Sequence, residues 1–387
     1  MSMPISRFVI FVSVFFLVMG LVSLYIYIRG LQAIPSDSRF RVVYTIAFWT
    51  IAASFLGGRL LESIWRSPLS DVLVWTGSFW IAAMLYFFLA ALLFDVARVV
   101  NHFLPFYPPA VTNDYSRAKL IAAGSVVAVV ALLLLVGHVN ALFPRVRTLD
   151  LTVTGKASAM KELRIVAASD IHLGSIVGRS RVNRIVGMIN SLEPDVVLLP
   201  GDIVDEDLAP VISRNLGEAL RNIESRFGVY AATGNHEYIG GVERASAYLT
   251  DHNIIMLRDR SVKVNDSFFL VGREDRSLGR FNGGRRKDLS ELMKEVDCKL
   301  PVILMDHQPF GLAQAAKYGI DLQLSGHTHY GQLWPVNYIV ERVYEVAWGY
   351  RKIDGTHYYV SNGAGTWGPP VRVGNRPEIV QIRLRFE

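Results

Sequence analysis

Five times between positions 163 and 329, a short, mostly apolar run stops at Asp, Asn or His. Residues 163–166 lead into Ala167-Ala168-Ser169-Asp170-Ile171-His172, and residues 196–199 into Pro200-Gly201-Asp202-Ile203-Val204-Asp205. Residues 228–232 lead into Thr233-Gly234-Asn235-His236-Glu237, residues 302–305 into Asp306-His307, and residues 322–324 into Ser325-Gly326-His327-Thr328-His329. A buried strand followed by a loop of potential metal ligands is what an α/β sheet presents at the carboxyl ends of its strands, where ligands bind. Few other folds can be written in this pattern.

The segments between these strands have helical texture. Val182, Ile185, Val186 and Ile189 recur at the spacing of one helix face, and Glu193-Pro194 ends that helix, so Asp170 to Asp202 reads as a βαβ unit. Residues 210–226, 241–252, 286–297 and 309–318 are expected to be helical, whereas residues 333–387 are strand-rich with Gly and Pro turns. The alternation Leu149-Asp150-Leu151-Thr152-Val153 suggests an initial strand.

Taken together and in order, the five stretches resemble the calcineurin-like metallophosphoesterase superfamily, whose signature is DxH, GDxxD, GNHE, a lone His and GHxH. The resemblance covers roughly residues 160 to 387. It implies a four-layer α/β/β/α sandwich and a centre of two divalent metal ions. Carboxylate, amide oxygen and imidazole suit Mn, Fe, Zn or Ni, with Mn favoured here, and the lack of a nearby Cys argues against a thiolate site. By resemblance, Asp170, His172, Asp202 and His329 hold the first ion. Asn235, His307 and His327 hold the second, with Asp202 bridging. His236 is the implied proton donor to the leaving oxygen. Asp205 orients a ligating imidazole, Glu237 is given a similar supporting role, and Glu206 and Asp207 read as a solvated acidic turn.

The closing stretch Val360-Ser361-Asn362-Gly363-Ala364-Gly365-Thr366-Trp367-Gly368-Pro369-Pro370-Val371-Arg372 is similar to the C-terminal signature of a bacterial membrane-associated branch. Tyr330 stands where that branch would have glycine. Some relatives of the branch are similar to UDP-2,3-diacylglucosamine hydrolase, a phosphodiesterase of lipid A synthesis that cuts a pyrophosphate, and this sets a leading substrate expectation. Trp334, Tyr338, Tyr344, Trp348 and Tyr350 read as core packing or as an aromatic lip for an acyl chain.

The first 150 residues have a different texture. Residues 8–28, 42–56, 72–94 and 120–142 are apolar runs, and about twenty such residues cross a ~30 Å hydrocarbon core; the second is just long enough when Phe40 and Gly57-Gly58 are added. A cleaved signal fits poorly, because one Arg precedes the first run and no small-x-small site follows Tyr27. Asp95 and His138 fall near span ends, where polar tips reach the interface. The expected division is 1–145 as a transmembrane helical region, 146–162 as linker and first strand, and 163–387 as the metallophosphoesterase domain.

Four spans put both termini on one side, yet the loop Lys and Arg are evenly divided between the two faces, Arg7 among them, so charge does not set the orientation. Metal supply and a single cysteine, Cys298, lean towards a cytoplasmic catalytic domain on the cell inner membrane; the thiol itself reads as a small buried hydrophobe. Residues 1–150 hold 11 Lys and Arg against 6 Asp and Glu, so most of the net charge of +6 sits in the helical region. That excess favours anionic headgroups, and the near-neutral remainder excludes a nucleic-acid role. The expected partners are the lipid bilayer and a phosphorylated amphiphilic substrate; oligomeric state is unassigned. Two other readings stay open: a membrane scaffold built on a catalytically retired fold, and a phosphatase of soluble or protein substrates.

Overall fold

The computed structural model describes the backbone of residues 5–387, and side chains at 13, 14 and 16–387. The side chains of Arg7 and Phe8, where the first apolar run begins, lie outside the described residues. The chain divides into two compact units, one holding the residues up to Val139 with Gly368–Val371, the other Asn140–Trp367 with Arg372–Glu387.

The first unit is helical. Its helices are α1 (Ile5–Ala33), α2 (Phe40–Ile64), α3 (Pro68–Phe103), the single turn α4 (Pro109–Thr112) and α5 (Tyr115–Leu142), whose last three residues belong to the second unit. Among the described residues, α1, α2, α3 and α5 are long and apolar enough to cross a membrane, and each outruns the apolar run that foretold it. Small residues let α2 and α3 approach closely: a Cβ on Gly77 would lie 2.2 Å from the Phe55 backbone nitrogen, and one on Gly58 would lie 2.6 Å from that of Val74. Asp95 is ion-paired to Arg29 at 2.6 Å and Arg98 at 3.3 Å, which satisfies its charge within the helices.

The second unit stacks two six-stranded sheets. Its strands are β1 (Arg145–Val153), β2 (Glu162–Ala167), β3 (Val196–Pro200), β4 (Val229–Ala232), β5 (Ile254–Met256), β6 (Arg260–Val264), β7 (Phe268–Gly272), β8 (Val302–Met305), β9 (Leu322–Ser325), β10 (Gly349–Ile353), β11 (Thr356–Val360) and β12 (Glu378–Phe386). One sheet runs β1-β12-β2-β3-β4-β5 and the other β10-β11-β9-β8-β7-β6. Between the sheets lie Leu163, Ile165, Leu198, Phe268, Leu270, Ile303, Met305, Ile382 and Leu384. The alternate residues Phe269, Val271, Val302 and Leu304 turn to the other face of the second sheet, against Leu289 and Leu292. That two-residue alternation in uniformly apolar strands is what a sheet covered on both sides requires. Helix α6 (Arg179–Asn190) buries Val182, Ile185, Val186 and Ile189, the face marked by their spacing.

Several expected helices are shorter than the sequence suggested. Residues 210–226 form α7 (Leu208–Ser213) and a 3₁₀ turn, Leu216–Asn222, separated by Asn215 in a left-handed conformation at φ 47°. Helices α8 (Asn235–Gly240) and α9 (Val242–Thr250) follow β4, and α10 (Leu278–Phe281), α11 (Leu289–Leu292) and α12 (Ala313–Lys317) are single turns. Helix α13 (Asn337–Val343) lies inside the stretch expected to be strand-rich. Cys298 is exposed rather than buried, because it sits in the turn that precedes β8.

Candidate metal centre

The strands that carry the candidate ligands run parallel within each sheet: β2, β3 and β4 in one, β8 and β9 in the other. Their carboxyl ends therefore point the same way, and five loops meet there. Asp170 and His172 follow β2, Asp202 follows β3, Asn235 and His236 open α8 after β4, His307 follows β8, and His327 and His329 follow β9. All of the expected ligands come together.

The distances define two adjoining clusters. In one, the His172 and His329 Nε2 atoms are 3.0 Å apart and His329 Nε2 is 3.4 Å from Asp170 Oδ1. In the other, His307 Nε2 is 3.0 Å from Asp202 Oδ2 and 3.2 Å from Asn235 Oδ1, which lies 2.7 Å from His327 Nδ1. Ligand atoms of Asp170, His172 and His329 fall within 4.8 Å of one another, as do those of His172, Asp202 and His236, and of Asp202, His307 and His327. Asp202 thus belongs to both sides. Opposed imidazole nitrogens beside carboxylates make an arrangement of lone pairs that a cation satisfies better than one shared proton does, so this donor set fits borderline divalent metals.

The backbone is bent to make this possible. Asp170, His172, Asp202, His327 and His329 have φ of 52°, 54°, 52°, 72° and 47°, a region that L-residues seldom occupy outside constrained sites. Two glycines are required by close approach. A Cβ on Gly234 would lie 2.1 Å from Asp202 Oδ1, and one on Gly326 would lie 2.2 Å from Asp170 Oδ2.

Asp205 stands behind two imidazoles, its Oδ1 3.2 Å from His236 Nδ1 and 3.6 Å from His172 Nδ1. Burial alone would raise the Asp205 carboxyl, but His172 and His236 outweigh it and hold it far below the usual carboxylate range. For His236 burial works downward, and Asp202, Asp205 and Glu206 reverse it, so the protein's own charges lift the imidazole to about 9. His327 is pushed down to about 3, first by burial and then by the neighbouring His307.

Glu237 does not touch an imidazole. Its carboxylate accepts from the amides of Asp202, Ile203, Val204 and Gly234 at 2.7–3.0 Å and so fixes the loop that presents Asp202. The acidic turn also divides. Asp207 caps α7 through Ala209 N at 2.9 Å, while Glu206 reaches within 3.9 Å of His236 Nδ1.

Two residues near the ligands had been given no role from sequence. Arg372 is fully buried; Nη1 donates to the His329 carbonyl and Nη2 to the Gly365 carbonyl at 3.0 and 2.8 Å, with Nη2 3.1 Å from His329 Nδ1. Burial first, then the Arg372 charge, keeps the His329 imidazole well below its usual range and hence neutral, the form that offers a lone pair. Trp367 lies with its ring centroid 5.9 Å from that of His236. Both residues fall in the closing stretch, but only its recurrence as a block, and no periodicity, could have singled them out. Of the aromatic candidates, Tyr344, Trp348 and Tyr350 line a cavity of about 310 Å³ together with Tyr330, whereas Trp334 and Tyr338 are exposed.

Comparison with known proteins fits this geometry. The Calcineurin-like phosphoesterase family matches residues 163–331. An uncharacterized metallophosphoesterase of Aquifex aeolicus is 32% identical over 250 residues, spanning 64% of this chain and 94% of that one. The chain belongs to the calcineurin-like phosphoesterases. A second relative in the family, the transmembrane protein with metallophosphoesterase domain of Bos taurus, is 34% identical over 289 residues, 70% of this chain and 64% of its own. An uncharacterized metallophosphoesterase of Campylobacter jejuni is 28% identical over 385 residues, spanning 98% of this chain and 99% of that one. The chain spans just under two thirds of the length of the first vertebrate relatives it matches.

Proposed function

We propose that this chain is a membrane-anchored, metal-dependent phosphoesterase that hydrolyses a phosphoester or pyrophosphate of an amphiphile. The observation that carries this reading is the convergence of seven ligand side chains and His236 at the ends of parallel strands from two sheets, with none of the ligands turned away. A scaffold would have no need to keep this set intact.

Asp170, His172, Asp202 and His329 would hold one cation and Asn235, His307 and His327 a second, with Asp202 shared. Two such cations supply charge to clamp and polarise a phosphoryl group and to lower the pKa of water. The protein's own part is positioning and proton transfer. Asp205 Oδ1 lies 3.2 Å from His236 Nδ1, so Nδ1 faces the carboxylate and Nε2 is the nitrogen left to face a departing oxygen. Asp202 and Asp205 raise the His236 pKa and so favour the imidazolium, the form whose Nε2–H can be given up.

An amphiphilic substrate is supported by how little chain separates α5 from the site. Helix α5 ends at Leu142 and β1 begins at Arg145, while Arg181 and Arg184 of α6 donate to the carbonyls of Ala141 and Leu142 at 3.0 and 2.6 Å. Helix α6 follows the Asp170–His172 loop in the chain, so the connection between α5 and the candidate site is short. A UDP-linked, diacylated sugar of the kind used in lipid A synthesis is the leading substrate class, and the inner membrane with a cytoplasmic catalytic domain is the matching location.

The test is kinetic. Full-length protein loaded with Mn²⁺ in mixed micelles should cleave an acylated pyrophosphate or phosphodiester at least tenfold more efficiently, by kcat/KM, than its deacylated headgroup. Equal efficiencies would overturn the amphiphile, and no hydrolysis of any phosphoester under Mn²⁺, Fe²⁺, Zn²⁺ or Ni²⁺ would overturn the enzyme.

A further inference from the structure

Helix α13 packs against the 3₁₀ turn His329–Gly331 through Tyr330 and Glu341 and has no fully buried residue. Tyr338, Ile339 and Val343 on it are 56%, 63% and 56% exposed. Just before it, Trp334 is 49% exposed, and Trp367 is 50% exposed. Isolated exposed hydrophobics are ordinary, but a group of five large ones that includes two indoles is a patch, and such patches mark interaction surfaces.

Hydrogen bonds join the segment that carries Trp334 to the one that carries Trp367. The Gln332 side chain accepts from Trp367 N at 3.1 Å and donates to Trp367 O at 2.9 Å, and Trp334 N donates to Val373 O at 2.8 Å. A Cβ on Gly374 would meet that of Trp334 at 2.8 Å. The same segment connects in two other directions. Trp367 neighbours His236, and the side chain of Asn140, in the last turn of α5, donates to the carbonyls of Arg372 and Asn375 at 2.9 and 2.6 Å. The apolar group is therefore linked on one side to the metal centre and on the other to the end of a helix long enough to cross a bilayer. Indole and phenol rings, apolar in body with one polar atom, favour the headgroup level of a membrane.

We propose that Trp334, Tyr338, Ile339, Val343 and Trp367 form a bilayer-contact face, seated at the boundary between headgroups and acyl chains. Its effect is to open the metal centre at membrane level, where a lipid-linked phosphate needs only to slide in, not to leave the bilayer. This deepens the amphiphile reading above and rests on it for its purpose, though not for its test.

That test uses the full chain with Cys298→Ser and one new cysteine, carrying a small fluorophore, in nanodiscs of phosphatidylcholine with and without doxyl-labelled lipid. A label at Ile339→Cys should be quenched at least threefold more than one at Asp266→Cys, a turn residue whose side chain is 92% exposed. Equal quenching at the two positions overturns the proposal. As the second arm, Ile339→Glu with Val343→Glu should lower kcat/KM for an acylated substrate in nanodiscs about tenfold while leaving the rate on soluble bis(p-nitrophenyl) phosphate unchanged. Quenching at Ile339 without that kinetic selectivity would establish the face and instead sink the amphiphilic substrate. A fall in both rates with an unchanged melting temperature would show that the helix serves the site directly, which overturns a pure bilayer contact.

Discussion

The two units of this chain solve opposite solvation problems, and the helical unit is the richer in apolar residues. In the helical unit many large hydrophobics face outward, with Ile64, Leu93 and Val42 at 85%, 67% and 63% exposure, while Gly58, Ser54, Ser70 and Ser78 are inside. In the α/β unit the aliphatics are inside and the polar groups that matter are buried among them, Asp170, His172, Asp202 and His307 all at 2% exposure or less. The lesson is that burial of a polar group carries different meaning in each. Among helices, Asp95 is neutralised by Arg29 and Arg98. At the strand ends, carboxylates and imidazoles are stacked beyond what they can satisfy in one another, which is a site prepared for cations.

The largest effect that would test this contrast is the removal of the shared charge. Asp202→Asn should abolish hydrolysis and lower bound metal together, as read by metal analysis beside a turnover assay. Asp95→Asn, at a partly buried, ion-paired carboxylate on α3, should leave both unchanged. His236→Ala should keep its metal and lose roughly 10²- to 10⁴-fold in kcat, the usual worth of one acid–base group. If His236→Ala loses as much metal as Asp202→Asn, its role as proton donor is wrong.

Smaller effects probe the frame around the site. Arg372→Met should weaken metal binding by roughly 10- to 100-fold, the common cost of removing a group that orients a ligand, with titration of the metal-free protein as the readout. Leu198→Ala between the two sheets should cost about 2–5 kcal/mol of stability, since it opens a cavity where the side chain is fully buried. Gly77→Ala should cost the helical unit about 1–3 kcal/mol by forcing α2 from α3. Gly57→Ala, with nothing within 4 Å, should cost nothing measurable. A thermal melt in one detergent checks the pair, and equal losses would mean that close helix approach is not what Gly77 provides.

Sequence by itself determined the parts that rest on local pattern. Four apolar stretches are long enough to cross a bilayer because length in lipid is a one-dimensional constraint, and five ligand motifs were legible because each is contiguous and ends a strand. The family follows from those motifs alone. Helix α6 was readable for the same reason, its buried face recurring at fixed spacing.

What only the tertiary structure decided depends on residues far apart in the chain. That Asp205 lies behind both His172 and His236, that Glu237 holds four backbone amides rather than a ring, and that Arg372 braces His329 across 43 positions are matters of how loops from two sheets meet. Likewise Asn215 ends a helix through a left-handed turn that local propensity did not reveal, and α13 stands out from the domain where a strand was expected. A sequence pattern records which face of an element is apolar. It does not record what that face meets, and Tyr338, Ile339 and Val343 of α13 are left exposed.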